Sequence, residues 1–197
     1  MEQFMFRQQQ NLKQANRKNK VIFRNALLAD LDGIMLVEKQ AFIPQIVESR
    51  EVFKQRLSAY PAGFFVLEEE NSHRILGYFC SELWDIVPSD EKAFSLGHSA
   101  DKAHRSTGSV LYISSVALLS ECRGKGLGEK LFTEAFNYIC THNSSIKQAV
   151  LLVNEVWKGA QHVYKKSGFI EYGTLINFFP TESEKCTDGI LMKKKVD

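Results

Sequence analysis

The chain has 197 residues, enough for one domain with a sizeable core. It is 44% hydrophobic, 24% charged and 11% aromatic, a composition that excludes a disordered or fibrous chain. Twenty-five Lys and Arg against twenty-three Asp and Glu leave a net charge of +2, without the basic excess of a dedicated nucleic-acid binder.

Residues 1–20 are rich in Gln, Asn, Lys and Arg and are expected to form a polar tail. They lack the apolar segment of a signal peptide. Residues 21–25 are a short β-prone stretch. Helical spacing follows from Ala29 through Leu31, Ile34, Met35, Val37 and Glu38, with Asp30 as the expected cap and Phe42-Ile43-Pro44 as the end. Ser49 opens a second helix carrying Val52, Phe53, Arg56 and Leu57, which Tyr60-Pro61-Ala62-Gly63 breaks. Residues 64–67 and 75–84 read as strands that pair antiparallel across a charged turn. Residues 85–108 show no periodicity beyond a short helix expected around 89–96, and so long an insert in a compact domain points to function. Residues 109–118 form the strongest strand. A glycine-rich turn at 123–128 leads into a helix at 127–142, a strand at 148–153 and an amphipathic helix at 157–167 that Gly168 ends. Strands at 169–177 and 190–194 complete the chain. The order β-α-α-β-β-(insert)-β-α-β-α-β-β predicts one α/β domain with a mixed sheet over residues 21–197.

Cys80, Cys122, Cys140 and Cys186 lie far apart, with no CxxC or Cys/His cluster, so no metal site is expected. They read as reduced thiols of a cytoplasmic protein, with Cys80 and Cys140 buried. No apolar run approaches the roughly 18 residues of a membrane span, and no membrane partner is expected.

The turn Arg123-Gly124-Lys125-Gly126-Leu127-Gly128 carries the clearest chemistry. Glycines allow close approach of a ligand, and a helix start presents unpaired N–H groups at the positive end of its dipole. Such a turn suits a pyrophosphate. It matches neither the Walker A pattern nor GxGxxG, because position 129 is Glu. By itself it is also compatible with an ordinary strand-to-helix connection.

Arg123-x-x-Gly126-x-Gly128, after the strand Tyr112-Ile113-Ser114-Ser115-Val116-Ala117-Leu118, resembles the Gln/Arg-x-x-Gly-x-Gly/Ala signature of the GNAT superfamily of N-acetyltransferases. Val163-Tyr164-Lys165-Lys166-Ser167-Gly168-Phe169 resembles the family's second landmark, Tyr-x-x-x-Gly-Phe. The resemblance spans roughly residues 21–195 and implies the acyl-CoA N-acyltransferase fold, with the fourth and fifth strands splayed apart. It also implies acetyl-CoA as cofactor and CoA as product. The backbone of Val116 and Leu118 would pair with the pantetheine arm, and the amides of Arg123, Gly124, Lys125, Gly126, Leu127 and Gly128 would hold the pyrophosphate. Ala117, Glu129, Asn154, Ala160 and Tyr164 would complete the cofactor's surroundings. A primary amine would attack the thioester directly through a tetrahedral intermediate, with an N–H near Val116 for the oxyanion and Tyr164 as proton donor to the thiolate. As a plain alternative, Tyr164 is a core tyrosine.

Glu38-Lys39-Gln40-Ala41-Phe42, Ile75-Leu76-Gly77-Tyr78-Phe79 with Ser81-Glu82-Leu83-Trp84-Asp85, and an insert with His104-Arg105 are similar to the serotonin (arylalkylamine) N-acetyltransferase branch. That likeness implies a small (aryl)alkylamine as acceptor. Two departures stand out. The branch's paired strand histidines correspond to Tyr112 and Ser114, which alternate onto one face with Val116. The family's usual Asn, seven residues before the helix tyrosine, is Trp157, with Asn154 earlier. The base is therefore open: Glu38, for which a solvated helix charge is the plainer reading, then Glu82 and Asp85, then His98 and His104. Phe42, Phe53, Tyr60, Phe64 and Trp84 could line an acceptor pocket or simply belong to the core. Competing readings are a protein N-acetyltransferase acting on an N-terminal amine or Lys, and a non-catalytic acyl-CoA-binding module. A monomer or homodimer without nucleic acid is expected.

Overall fold

The computed structural model describes residues 20–183 and 185–196, so the polar stretch at 1–20 lies outside the described residues apart from Lys20. The elements are β1 (Val21–Asn25), α1 (Leu31–Ala41), α2 (Arg50–Ala59), β2 (Phe64–Glu69), β3 (Ile75–Trp84), β4 (Val110–Leu118), α3 (Leu127–His142), β5 (Gln148–Asn154), α4 (Lys158–Lys166), β6 (Ile170–Phe179) and β7 (Thr187–Lys195). This is the expected order. The insert holds a 3-10 turn at Glu91–Phe94 and a single helical turn at Ala100–Ala103.

Local chemistry explains the boundaries. α1 turns Leu31, Ile34, Val37 and Glu38 inward at helical spacing. Asp30 precedes it but does not cap it: its carboxylate takes the Leu27 N–H at 2.7 Å and pairs with Arg24. Ser49 does cap α2, accepting the Val52 N–H at 3.4 Å. Gly168, at φ +87°, ends α4, and the Phe169 N–H returns to Tyr164 O at 3.0 Å. β6 runs past its expected end because Asn177 takes φ +54° as a bulge, its N–H bound by Asp188 at 2.8 Å. That bulge carries Phe178 and Phe179 onward.

One seven-stranded sheet results, ordered β1-β2-β3-β4-β5-β7-β6. Helices α1 and α2 cover one face, where the Phe53 ring lies 5.2 Å from Tyr78. Helix α3 covers the other, where Phe132 lies 5.8 Å from Phe79. Burying each such phenylalanine contributes about 1.5–3 kcal/mol. Cys80 is buried as expected, but Cys122 and not Cys140 is the second buried thiol; Cys140 sits half-buried in the last turn of α3. No helix among the described residues is long and apolar enough to cross a membrane.

The pairing of β4 decides where ligands can enter. β4 and β5 run parallel and pair only from Val110 opposite Gln148 to Ile113 opposite Leu151. Beyond that point β4 stays with β3 as far as Leu118, while β5 stays with β7 as far as Asn154. The two strands therefore part, as the splayed fold requires. The extra residue is Ser114: Ile113 faces Ser81 and Ser115 faces Cys80, so Ser114 has no cross-strand partner in the register. A bulge of this kind bends and twists its strand.

Candidate functional site

The parting of β4 and β5 opens a cleft of about 760 Å³, walled by Val116, Ala117 and Leu118 on one side and by α4 on the other. The Leu119 N–H turns back to Leu76 O on β3 at 2.9 Å. By the two-residue alternation of a strand, the N–H groups of Val116 and Leu118 point the opposite way, into the cleft. The glycine turn stands at the mouth. Gly124 and Gly126 hold φ +70° and +75°, and a Cβ on either would meet nothing within 4 Å. These conformations favour glycine, and they leave the backbone bare. The Lys130 N–H reaches Gly126 O at 3.0 Å, whereas the amides of Leu127, Gly128 and Glu129 have no backbone acceptor among the described residues.

Not every residue expected at the cofactor lines the cleft. Arg123, Gly124, Gly126, Gly128, Glu129, Ala160 and Tyr164 do; Lys125 and Leu127 do not. The Glu129 carboxylate is neutralised by Lys166 at 2.6 Å. Asn154 is not among the residues that line either space; its Oδ1 accepts the Val156 N–H at 3.1 Å and so shapes the turn before α4.

Behind the cleft lies a cavity of about 80 Å³. Glu38 is on its wall and is 1% exposed, not a solvated helix charge. The Tyr78 hydroxyl donates to its carboxylate, and the Glu48 N–H donates to it at 2.9 Å. Tyr78 also contacts Ser115 Oγ at 2.9 Å. Burial pushes the Glu38 carboxyl up to about 7, and the two donated hydrogen bonds only partly oppose it. Around it, the Glu48 carboxylate is forked by Arg56 and accepts the Gly97 N–H at 2.6 Å. The loop after α1, helix α2 and the insert are thereby tied together.

The other proposed bases sort themselves by contact. Glu82 accepts the Trp84 indole N–H at 2.6 Å and faces His98 Nε2 at 2.7 Å, so these two form one buried pair, of which His98 borders the cavity. Asp85 is exposed and sits 3.8 Å from Arg105, away from the cavity. His104 is structural: its Nδ1 accepts the Leu83 N–H at 3.2 Å, its ring stacks on Tyr60, and burial lowers its pKa.

The shared face expected for Tyr112, Ser114 and Val116 is also corrected. Tyr112 pairs with Glu82 and Ser115 with Cys80, but Val116 pairs with Phe79, which looks toward α3. The bulge at Ser114 inverts the alternation. Tyr112 stacks on Trp84 at 4.1 Å, and burial pushes its phenol up. The Ser114 hydroxyl donates to Cys80 O at 3.2 Å. Both residues still border the cavity. Of the five aromatic residues expected around the acceptor, only Phe42 lines it, joined by Phe94, Phe178 and Phe179. Phe53 and Phe64 pack on Tyr78 instead.

Cleft and cavity share five lining residues: Phe42, Val116, Trp157, Ala160 and Tyr164. The two spaces adjoin at these residues, termed the neck. Tyr164 is 9% exposed, its ring lies 4.9 Å from Phe132, and its hydroxyl has no hydrogen bond among the described residues. Burial raises its pKa. Tyr78, Ser115, Glu48 and Arg56 give no short-range motif, because they meet only through the fold.

A split parallel pair with an anion-receiving turn at its mouth fits an extended ligand that carries phosphate at one end and its reactive group at the other. The chain matches the acetyltransferase (GNAT) family over residues 33–169, more than half its length, and belongs to that family of enzymes. It is 26% identical over 175 residues to a candidate ribosomal protein bS18-alanine N-acetyltransferase of Bacillus subtilis (strain 168), covering 89% of this chain and 95% of that one. In fold it is similar to the loading GNATL domain of CurA from Lyngbya majuscula, with a TM-score of 0.74 at 18% identity over 90% of this chain and 98% of that one. It is similar too to the GphF GNAT-like decarboxylase in complex with isobutyryl-CoA, with a TM-score of 0.73 at 15% identity over 89% and 100%.

Proposed function

We propose that this chain transfers an acetyl group from acetyl-CoA to a small primary amine, an alkyl- or arylalkylamine. The observation that carries the reading is the buried Glu38 carboxylate on a small cavity that adjoins the cleft at Tyr164. Bound acetyl-CoA supplies an activated thioester carbonyl. The bare amides after Gly126, with Arg123 beside them, would hold its pyrophosphate, and the inward N–H of Leu118 would pair with its pantetheine arm.

Glu38 accepts a proton from the amine, a task suited to a carboxyl raised toward neutrality. The amine nitrogen bonds to the carbonyl carbon, and the Val116 N–H receives the developing oxyanion. Tyr164 gives its hydroxyl proton to sulfur as the carbon–sulfur bond breaks. Tyr112 and Ser114 orient amine or water from the cavity wall and do not act as bases.

The cavity has the volume of roughly two or three waters, so the amine and its first carbons enter while the rest of the acceptor stays outside. A protein N-terminus beginning with a small residue meets the same limit, and the name of the Bacillus relative favours that second reading. A thiol-release assay with tryptamine, phenethylamine, polyamines, free amino acids and short peptides separates them. Preferred turnover of a small amine is expected. Turnover of an Ala-first peptide more than about tenfold above every small amine would establish the second reading. Binding of acetyl-CoA without release for any amine would leave only a binding module.

A further inference from the structure

The carbon that changes partners is bound to sulfur on the cleft side and to nitrogen on the cavity side, so it passes through the neck. Resting on the reading above, we propose that Trp157, braced by Phe42 and Phe179, limits the transferred acyl group to about the size of acetyl. The Trp157 ring lies 5.3 Å from Phe42 and 5.2 Å from Phe179. The three rings come from the end of α1, the start of α4 and the end of β6. Trp157 and Phe42 line both spaces, and Phe179, at 4% exposure, stands behind Trp157 on the cavity side.

The backbone under Trp157 is fixed as well. Its N–H reaches Asn154 O at 3.0 Å. The Gln161 side-chain amide donates to Asn154 O at 2.9 Å and to Glu155 O at 2.8 Å. With Asn154 Oδ1 on the Val156 N–H, the turn is held at both ends. These bonds tie down the backbone that carries the ring. A longer acyl chain must push it into Phe179, at the cost of unpacking a buried ring.

The test is calorimetric titration of the full chain with acetyl-, propionyl-, butyryl- and hexanoyl-CoA. The wild type is expected to lose about tenfold in affinity for each of the first added methylenes, the low end of the penalty for one methylene against an apolar wall. Trp157→Ala is expected to flatten the series to less than about threefold. Trp157→Phe, which keeps an aromatic brace and protects folding, gives an intermediate slope. Circular dichroism checks each fold. If Trp157→Ala does not fold, the flattened series is sought in Phe179→Leu. An unaltered preference in the folded variants overturns the proposal, as does a wild type that binds all four thioesters equally. A wild type that binds none of them overturns the acetyl-CoA reading itself, a distinct result.

Discussion

The cleft and the cavity meet at one neck but are built from different materials. The cleft is mainly backbone: two parted strands, two glycines near φ +70° and three helix amides without a backbone acceptor among the described residues. The cavity is mainly side chain: Glu38 under Tyr78 and the Glu48–Arg56 pair, with the Glu82–His98 pair nearby. In the proposed reading the backbone part presents fixed dipoles to an anion, and the side-chain part supplies a buried proton acceptor. Damage to the first should appear as lost cofactor affinity, and damage to the second as lost turnover or a moved pH profile.

The sharpest break is Glu38→Gln, expected to lower turnover by about a thousandfold while leaving acetyl-CoA affinity within a few-fold. Steady-state kinetics beside calorimetry checks it. Gly126→Glu makes the opposite break: a carboxylate at the anion site, on a backbone near φ +75°, should weaken acetyl-CoA binding by about a hundredfold. Gly126→Ala separates the strain from the charge and should recover most of that loss. Tyr164→Phe should cut turnover by about tenfold with little change in binding, because a thiolate leaves tolerably without a donor.

The smallest effect is on stability. Burial raises Glu38, so the folded chain holds a proton that the unfolded chain releases between the ordinary carboxylate range and about 7. Stability therefore falls as pH rises through that window. Glu38→Gln should melt a few degrees higher than wild type at pH 8, and the gain should shrink toward pH 4.5. Thermal melts across that range check the sign.

The same division of materials explains what could be read from the chain. Gly124 and Gly126 are visible because a bare turn at positive φ favours that residue type, and Tyr164 is visible through its fixed spacing to Gly168-Phe169. Element order follows from periodicity and breakers such as Ser49 and Gly168. The cavity was far less legible. Glu38 could be named, but its burial depends on Tyr78 and Glu48, which reach it from β3 and from the loop before α2. The single extra residue at Ser114 inverts which β4 side chains face α3, and no alternation rule reveals a bulge. His104 and Asp85 carry suitable chemistry, yet Tyr60 holds one and solvent the other.

The most direct test of the central claim is the pH dependence of kcat/KM for an amine substrate in wild type and Glu38→Gln. With Glu38 as the base, the wild-type profile should rise through an inflection near 7, and that inflection should vanish in the variant. The same inflection persisting in Glu38→Gln, at near wild-type rates, would contradict the account.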